Sequence, residues 1–199
     1  MSGSKEIIKK IAQVVLGGLF FRPYYRMRTA WPVWFYLLNH EGRKLYGVLD
    51  FELDPVEKRI ARDLREHGLA FAHIEEFFPE GKVFPILKEY AGELLPKAKI
   101  MVEKDFNIEF WQETDVLNFN NPFLALALEQ KVLRVAAVYL GVLPKLFYYS
   151  LWLTRPVSKD LPRVRSQNWH RDPDDKRMCK MFLYLNDIDE NHGPFNYIK

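Results

Sequence analysis

The stretch SQNWHRDPDDKRMCKMFLYLND, residues 166–187, decides which fold the sequence predicts. Its second half is a run of aromatic and aliphatic residues that predicts a β-strand from Met178 to Leu185. In its first half, His170 and Asp172 stand two positions apart, so their side chains point to the same face if the segment is extended. The last third of the chain is therefore predicted to be strand-rich, with a His-x-Asp pair on one strand.

The pair formed by His170 and Asp172 has the composition of a metal site. A neutral imidazole nitrogen and a carboxylate oxygen, joined by a second histidine from elsewhere, form the facial triad of non-haem iron(II) oxygenases and leave three coordination positions open. One carboxylate neutralises the ion only in part, which leaves it Lewis-acidic towards an anionic 2-oxo acid. Alone the pair is weak evidence, because average residue usage produces it by chance in about one chain in five of this length. The alternative is a surface histidine beside the acidic residues Asp174 and Asp175.

Upstream of this stretch the sequence predicts helices. The signals are complete for one helix over residues 54–68: Asp54 as N-cap, Pro55 at the first helical position, Glu57 at the third and Gly68 as the stop. Further elements follow from the spacing of apolar residues: a strand over residues 69–74 and helices over residues 84–95 and 121–141. Helices followed by antiparallel strands indicate one α+β domain in which helices pack around a β-sandwich.

Composition limits the class of protein. A chain of 199 residues, of which 48% are hydrophobic, is long enough to bury one sizeable core, so one globular domain is expected. The 29 Lys and Arg residues and the 26 Asp and Glu residues are scattered along the chain, which argues against nucleic-acid binding. The single cysteine, Cys179, cannot form an internal disulfide, and this suits a reducing, cytoplasmic setting.

The N-terminal segment has a basic start and an apolar run over residues 11–21. The run is shorter than the ~20 residues needed to cross a bilayer, and three arginines follow it: Arg22, Arg26 and Arg28. Its apolar residues fall at helical spacing: Ile7, Ile8, Ile11, Val14 and Val15. Two interpretations stay open, an amphipathic helix docked on the protein and a helix in weak contact with a membrane surface.

Three motifs stand in order near the end of the chain: N-W-H-R-D at residues 168–172, F-L-Y-L-N-D-I-D at 182–189 and E-N-H-G-P-F-N-Y-I at 190–198. Together they resemble the phytanoyl-CoA dioxygenase family of iron(II)- and 2-oxoglutarate-dependent oxygenases. Leu64, Gly68, Phe71 and the segment 75–78 are similar to that family's N-terminal region. The resemblance thus covers residues 54–199 as the N-terminal part of such a domain and leaves residues 1–53 as a helical, aromatic extension. It implies a double-stranded β-helix, the cupin-like jelly roll, flanked by N-terminal helices.

The resemblance also implies chemical roles. His170 and Asp172 would be catalytic residues and the first two iron(II) ligands, with 2-oxoglutarate as cosubstrate and O2 as oxidant. The expected reaction is hydroxylation of an unactivated C–H bond in a small organic substrate, with succinate and CO2 as coproducts. If the following strand lines the mouth of the β-helix, Phe182 and Tyr184 would wall the 2-oxoglutarate pocket, one ring excluding water and the phenol offering a hydrogen bond. An ordinary sandwich core is the alternative for these two residues.

Part of the expected site is missing from the 199 residues. Family members supply a second histidine ligand and a basic residue for 2-oxoglutarate from later strands. His192 is not expected to be that ligand, because it lies in a turn before a glycine. We therefore expect the C-terminal half of the β-helix to be missing, the chain to be a fragment, and the isolated chain to be poorly stable and inactive. The alternative is a noncatalytic relative that binds a partner or a membrane surface.

Overall fold

The computed structural model describes residues 22–100, 107–110, 118–154, 160, 162–163, 167–170, 172 and 175–198, with the backbone alone at 97–100 and 107–109. Most of the regular structure in this part of the chain is helical. Residues 22–29 form a helix, and a π-helix follows at Val33–Leu38. The later helices are α1 (His40–Val48), α2 (Pro55–His67), α3 (Ile74–Phe77), α4 (Val83–Ile100), α5 (Pro122–Ala127), α6 (Gln130–Leu140) and a 3-10 helix (Glu190–His192). Two three-residue strands are also present: β1 (Asn107–Glu109) and β2 (Trp152–Thr154).

Helix α2 begins and ends where its sequence predicts. The Asp54 carboxylate accepts a hydrogen bond from the Glu57 N–H at 2.8 Å, and the Glu57 carboxylate accepts one from the Asp54 N–H at 2.7 Å. This reciprocal capping box satisfies two amide groups that have no partner inside the helix. At the other end, Gly68 has a φ of +73° and its N–H donates to the Leu64 carbonyl oxygen at 3.0 Å. The helix predicted over residues 54–68 is confirmed.

Charged side chains join α2 to α6. Glu57 is fully buried and accepts two hydrogen bonds from the Arg134 guanidinium, at 2.7 and 3.0 Å, on one carboxylate oxygen. One turn earlier on α6, the Lys131 ammonium lies 2.8 Å from the second carboxylate oxygen of Asp54. A buried carboxylate is tolerated only when it is paired and hydrogen-bonded, so these contacts fix how the two helices lie against each other.

Apolar side chains are buried on the helices and at the end of α6. The buried apolar residues on α2 to α6, apart from Leu140, are Ala61, Phe77, Leu87, Leu124, Leu126, Val135 and Ala137. A second cluster joins the π-helix to the end of α6: Trp34, Leu140 and Val142, with Phe35 and Tyr139 packed against it. Helix α1 contacts the segment that follows α6, where the Leu143 N–H donates to the Gly42 carbonyl oxygen at 3.0 Å. A Cβ at position 42 would lie 3.3 Å from the Leu143 carbonyl oxygen, so the contact favours glycine.

The predicted jelly roll is wrong. In the described residues the only sheet is the antiparallel pair β1 and β2, in which Asn107, Ile108 and Glu109 face Thr154, Leu153 and Trp152. Residues 178–185 have no regular secondary structure and form no strand ladder, and residues 69–74 lead into helix α3 instead of forming a strand. An alternating apolar pattern specifies an extended backbone, whereas a sheet also requires partner strands from distant parts of the sequence. The described chain is mostly helical.

The N-terminal amphipathic helix predicted from residues 7–15 lies outside the described residues, and so does the whole apolar run over 11–21. Among the residues that the structure does describe, no helix combines the length and the apolar character that a membrane span requires.

Candidate functional site

The side chains of His170 and Asp172 lie next to each other. His170 Nε2 is 3.5 Å from Asp172 Oδ1, and about half of the histidine side chain and 38% of the aspartate side chain are exposed. On its other edge, His170 Nδ1 lies 2.8 Å from the Asn168 carbonyl oxygen. Because a carbonyl oxygen can only accept, Nδ1 carries a hydrogen and donates it. The remaining ring nitrogen therefore faces the carboxylate.

This arrangement fits a cation between the two side chains. With Nδ1 protonated, a neutral His170 presents a lone pair at Nε2 to a carboxylate oxygen of Asp172. Two acceptor atoms facing each other repel unless a proton or a metal ion lies between them. Histidine ligands of metals commonly have their second ring nitrogen held by such a carbonyl group, which fixes the tautomer and the ring orientation. The pair could therefore hold either a shared proton or a metal ion between its two side chains.

Lys180 binds the other side of the same carboxylate. Its ammonium nitrogen lies 2.7 Å from Asp172 Oδ2, and 27% of its side chain is exposed. Burial opposes the charge of the ammonium group, but the hydrogen bond to Asp172 and the neighbouring Tyr148 outweigh this and raise the pKa of Lys180. Asp172 therefore has one oxygen held by Lys180 and the other directed at His170. No pattern in the sequence pairs Lys180 with Asp172, which lies eight residues before it.

A third ligand does not appear in the described residues, where no group of three His, Cys, Asp or Glu side chains could hold a metal ion together. His192 pairs elsewhere: its Nδ1 lies 2.7 Å from Asp189 Oδ1, inside the 3-10 helix that ends at Gly193. Backbone donation from Asn191 and the contact with His192 hold the pKa of Asp189 below its usual value. This second His–Asp pair is a local turn contact, as the sequence predicts for His192.

Phe182 and Tyr184 lie on the exposed side of the C-terminal segment. The Phe182 ring stacks on Phe195 with 4.8 Å between centroids, and the Tyr184 hydroxyl accepts a hydrogen bond from the Phe195 N–H at 3.0 Å. About half of each side chain is exposed. The contacts described for these two rings are with Phe195, not with His170 or Asp172, so their predicted place in a 2-oxoglutarate pocket stays a prediction.

Comparison of the chain with protein-family models, with curated proteins and with solved structures found no match. The resemblance to the phytanoyl-CoA dioxygenase family accordingly stays a prediction.

Proposed function

We propose that this chain forms part of an iron(II)- and 2-oxoglutarate-dependent dioxygenase, similar to phytanoyl-CoA dioxygenases, that hydroxylates an unactivated C–H bond of a small organic substrate. The observation that supports it is the 3.5 Å approach of His170 Nε2 to Asp172 Oδ1, with Nδ1 held by the Asn168 carbonyl group. Iron(II) with 2-oxoglutarate and O2 supplies the oxidising chemistry, and succinate and CO2 are the coproducts. The proposal requires a third ligand from outside the described residues, and a cytoplasmic setting suits the reduced state of the iron.

In this proposal each described side chain has one task. His170 binds the metal through Nε2, while Asn168 keeps the imidazole in the required tautomer. Asp172 binds through Oδ1, and Lys180 holds Oδ2, which prevents the carboxylate from rotating away and limits it to one ligating oxygen. The Lys180 ammonium also offsets part of the negative charge of Asp172. Because less of its positive charge is then neutralised, the metal ion would bind an anionic cosubstrate more strongly.

Phe182 and Tyr184 are the proposed walls of the cosubstrate pocket. Their side chains are half exposed, so a ligand can reach both the Phe182 ring and the Tyr184 hydroxyl. The Tyr184 oxygen already accepts a hydrogen bond from the Phe195 N–H, which leaves its own hydrogen for donation to a carboxylate.

The experiment that tests this function is calorimetric titration of Mn(II), an air-stable substitute for iron(II), with and without 2-oxoglutarate. We expect 2-oxoglutarate to strengthen Mn(II) binding, and both His170→Ala and Asp172→Ala to weaken it at least about tenfold. His192→Ala is the matched control, because it removes a histidine that contacts an aspartate at 2.7 Å in a turn. Equal losses in the control, or no effect of 2-oxoglutarate, would contradict the proposal.

A noncatalytic binding protein is the second candidate. One observation favours it: apolar side chains are exposed along the π-helix and α1, namely Leu37, Leu38, Leu45 and Val48. Exposed apolar patches of this kind mark contact surfaces. Weak membrane-surface contact through the helix predicted at residues 7–15 belongs to the same proposal. Co-sedimentation with anionic vesicles by a protein that does not bind Mn(II) would favour this candidate over the dioxygenase.

A further inference from the structure

A cavity of about 520 Å³ lies where the C-terminal ends of α2 and α6 meet. Its lining is Leu64, Arg65, Gly68, Val138, Tyr139, Gly141 and Arg177. Both helices end here at glycines in the left-handed conformation, with φ of +73° at Gly68 and at Gly141. The position of a Cβ at Gly141 is open, whereas at Gly68 the Tyr197 hydroxyl group lies against it. The volume lies within the range of about 300 to 1,000 Å³ that is usual for small-molecule sites.

The lining carries two positive charges and no carboxylate. Each helix C-terminus contributes a partial charge of about −0.5, so two guanidinium groups leave a net charge of about +1 at the cavity. Arg65 Nη2 donates to the Val138 carbonyl oxygen at 2.7 Å, and Arg177 Nη1 donates to the Leu140 carbonyl oxygen at 3.2 Å. A guanidinium group has five N–H donors, and these two bonds use one from each. Donors therefore remain on both arginines for an anion.

The rest of the lining is apolar, with one hydroxyl group. Leu64 and Val138 provide aliphatic surface, and the Tyr139 ring adds an aromatic face. Burial, with a smaller contribution from Cys179, raises the pKa of Tyr139, so its hydroxyl group stays protonated at neutral pH and can donate. The Arg177 guanidinium lies 5.2 Å from the centre of the Trp31 ring, which restricts where it can move.

We propose that this cavity binds a small organic anion, with its carboxylate or phosphate group between Arg65 and Arg177 and its apolar body against Leu64 and Val138. Arginine suits this role because its planar set of donors matches the oxygens of both groups. The site shares no residue with the His170–Asp172 pair. It stands independently of the proposed dioxygenase, and its experiments need no metal.

The first experiment is an NMR titration of the 15N-labelled protein with phenyl phosphate. The amide signals of Gly68 and Gly141 are expected to shift together with one saturation curve, since both residues line the cavity. Gly81 is the internal control, because it shares their left-handed conformation, with φ of +69°, but does not line the cavity. Benzyl alcohol, which has the ring without the charge, is expected to cause no saturable shift.

Two variants test the arginines. Arg65→Gln and Arg177→Gln should each weaken phenyl phosphate binding about tenfold or more, the effect of losing a charge-assisted hydrogen bond. Arg62→Gln is the matched control on α2, since Arg62 is exposed and contacts Asp63 outside the cavity. Benzoate compared with phenyl phosphate separates a carboxylate ligand from a phosphate ligand. Absence of a shift at Gly68 and Gly141 in the unmodified protein would overturn the proposal. So would binding of phenyl phosphate by both arginine variants as tight as binding by the unmodified protein.

Discussion

Replacement of Arg134 by methionine should destabilise the protein more than any loss of a surface ion pair. The Glu57 side chain is completely buried, and Arg134 provides two hydrogen bonds to its Oε1. Removal of one partner from a buried pair costs about 3–5 kcal/mol, because the other charge stays in a low-dielectric environment. In the variant, Glu57 keeps the hydrogen bond from the Asp54 N–H and the favourable field of the α2 N-terminus. The expected loss in the free energy of unfolding is therefore about 3 kcal/mol.

Urea unfolding followed by circular dichroism measures this loss. With an m-value of about 2 kcal/mol/M, a loss of about 3 kcal/mol lowers the midpoint by about 1.5 M. Arg62→Met is the control, since Arg62 contacts Asp63 with 62% of its side chain exposed, and surface pairs contribute about 0–1 kcal/mol. The double variant Glu57→Gln with Arg134→Met removes both charges and should recover much of the stability. If Arg134→Met unfolds at the same urea concentration as Arg62→Met, the buried pair does not hold α2 against α6.

Two further predictions concern α2. Gly68→Ala should lower the melting temperature more than Gly81→Ala: both introduce about 1–2 kcal/mol of left-handed strain, but only position 68 would also place a Cβ against the Tyr197 hydroxyl group. Equal melting temperatures would place the Tyr197 side chain elsewhere in solution. The hydrogen bonds from Lys131 and from the helix backbone lower the pKa of Asp54 below its usual 3.8. The stabilisation by the Asp54 carboxylate is therefore fully present above pH 3.8 and is lost as the pH falls through the pKa of the folded state. Lys131→Met should therefore reduce the fall in urea midpoint between neutral pH and about pH 2, and an unchanged fall would show that Asp54 does not depend on Lys131.

The sequence predicts those parts of the fold that local contacts determine. The Asp54 N-cap, the Glu57 side chain and the Gly68 stop act within a few residues of one another, and α2 follows from them. The helix predicted over residues 121–141 is present as two helices, because the chain turns at Leu128 and Glu129 between α5 and α6. Apolar spacing continues through this break and so could not reveal it. The ion pair between Glu57 and Arg134, which are 77 residues apart, left no pattern in the sequence.

The jelly roll could not be judged from local patterns. Residues 178–185 have the composition of a strand but form none, because a sheet depends on hydrogen-bonded partners that local sequence does not specify. The proximity of His170 and Asp172 is a local feature, because a two-residue spacing limits how far the two side chains can separate. The 3.5 Å contact is in keeping with that limit, whereas the contact between Lys180 and Asp172 is seen only in the structure.

Anomalous diffraction from crystals soaked in Mn(II) and 2-oxoglutarate would show directly whether His170 and Asp172 bind a metal ion. We expect one strong manganese peak about 2.2 Å from both His170 Nε2 and Asp172 Oδ1, a usual distance for nitrogen and oxygen ligands of divalent metals. Asp172→Ala crystals should lack that peak. A manganese peak at the His192 and Asp189 pair, or no peak within reach of His170, would contradict the assignment of these residues as metal ligands.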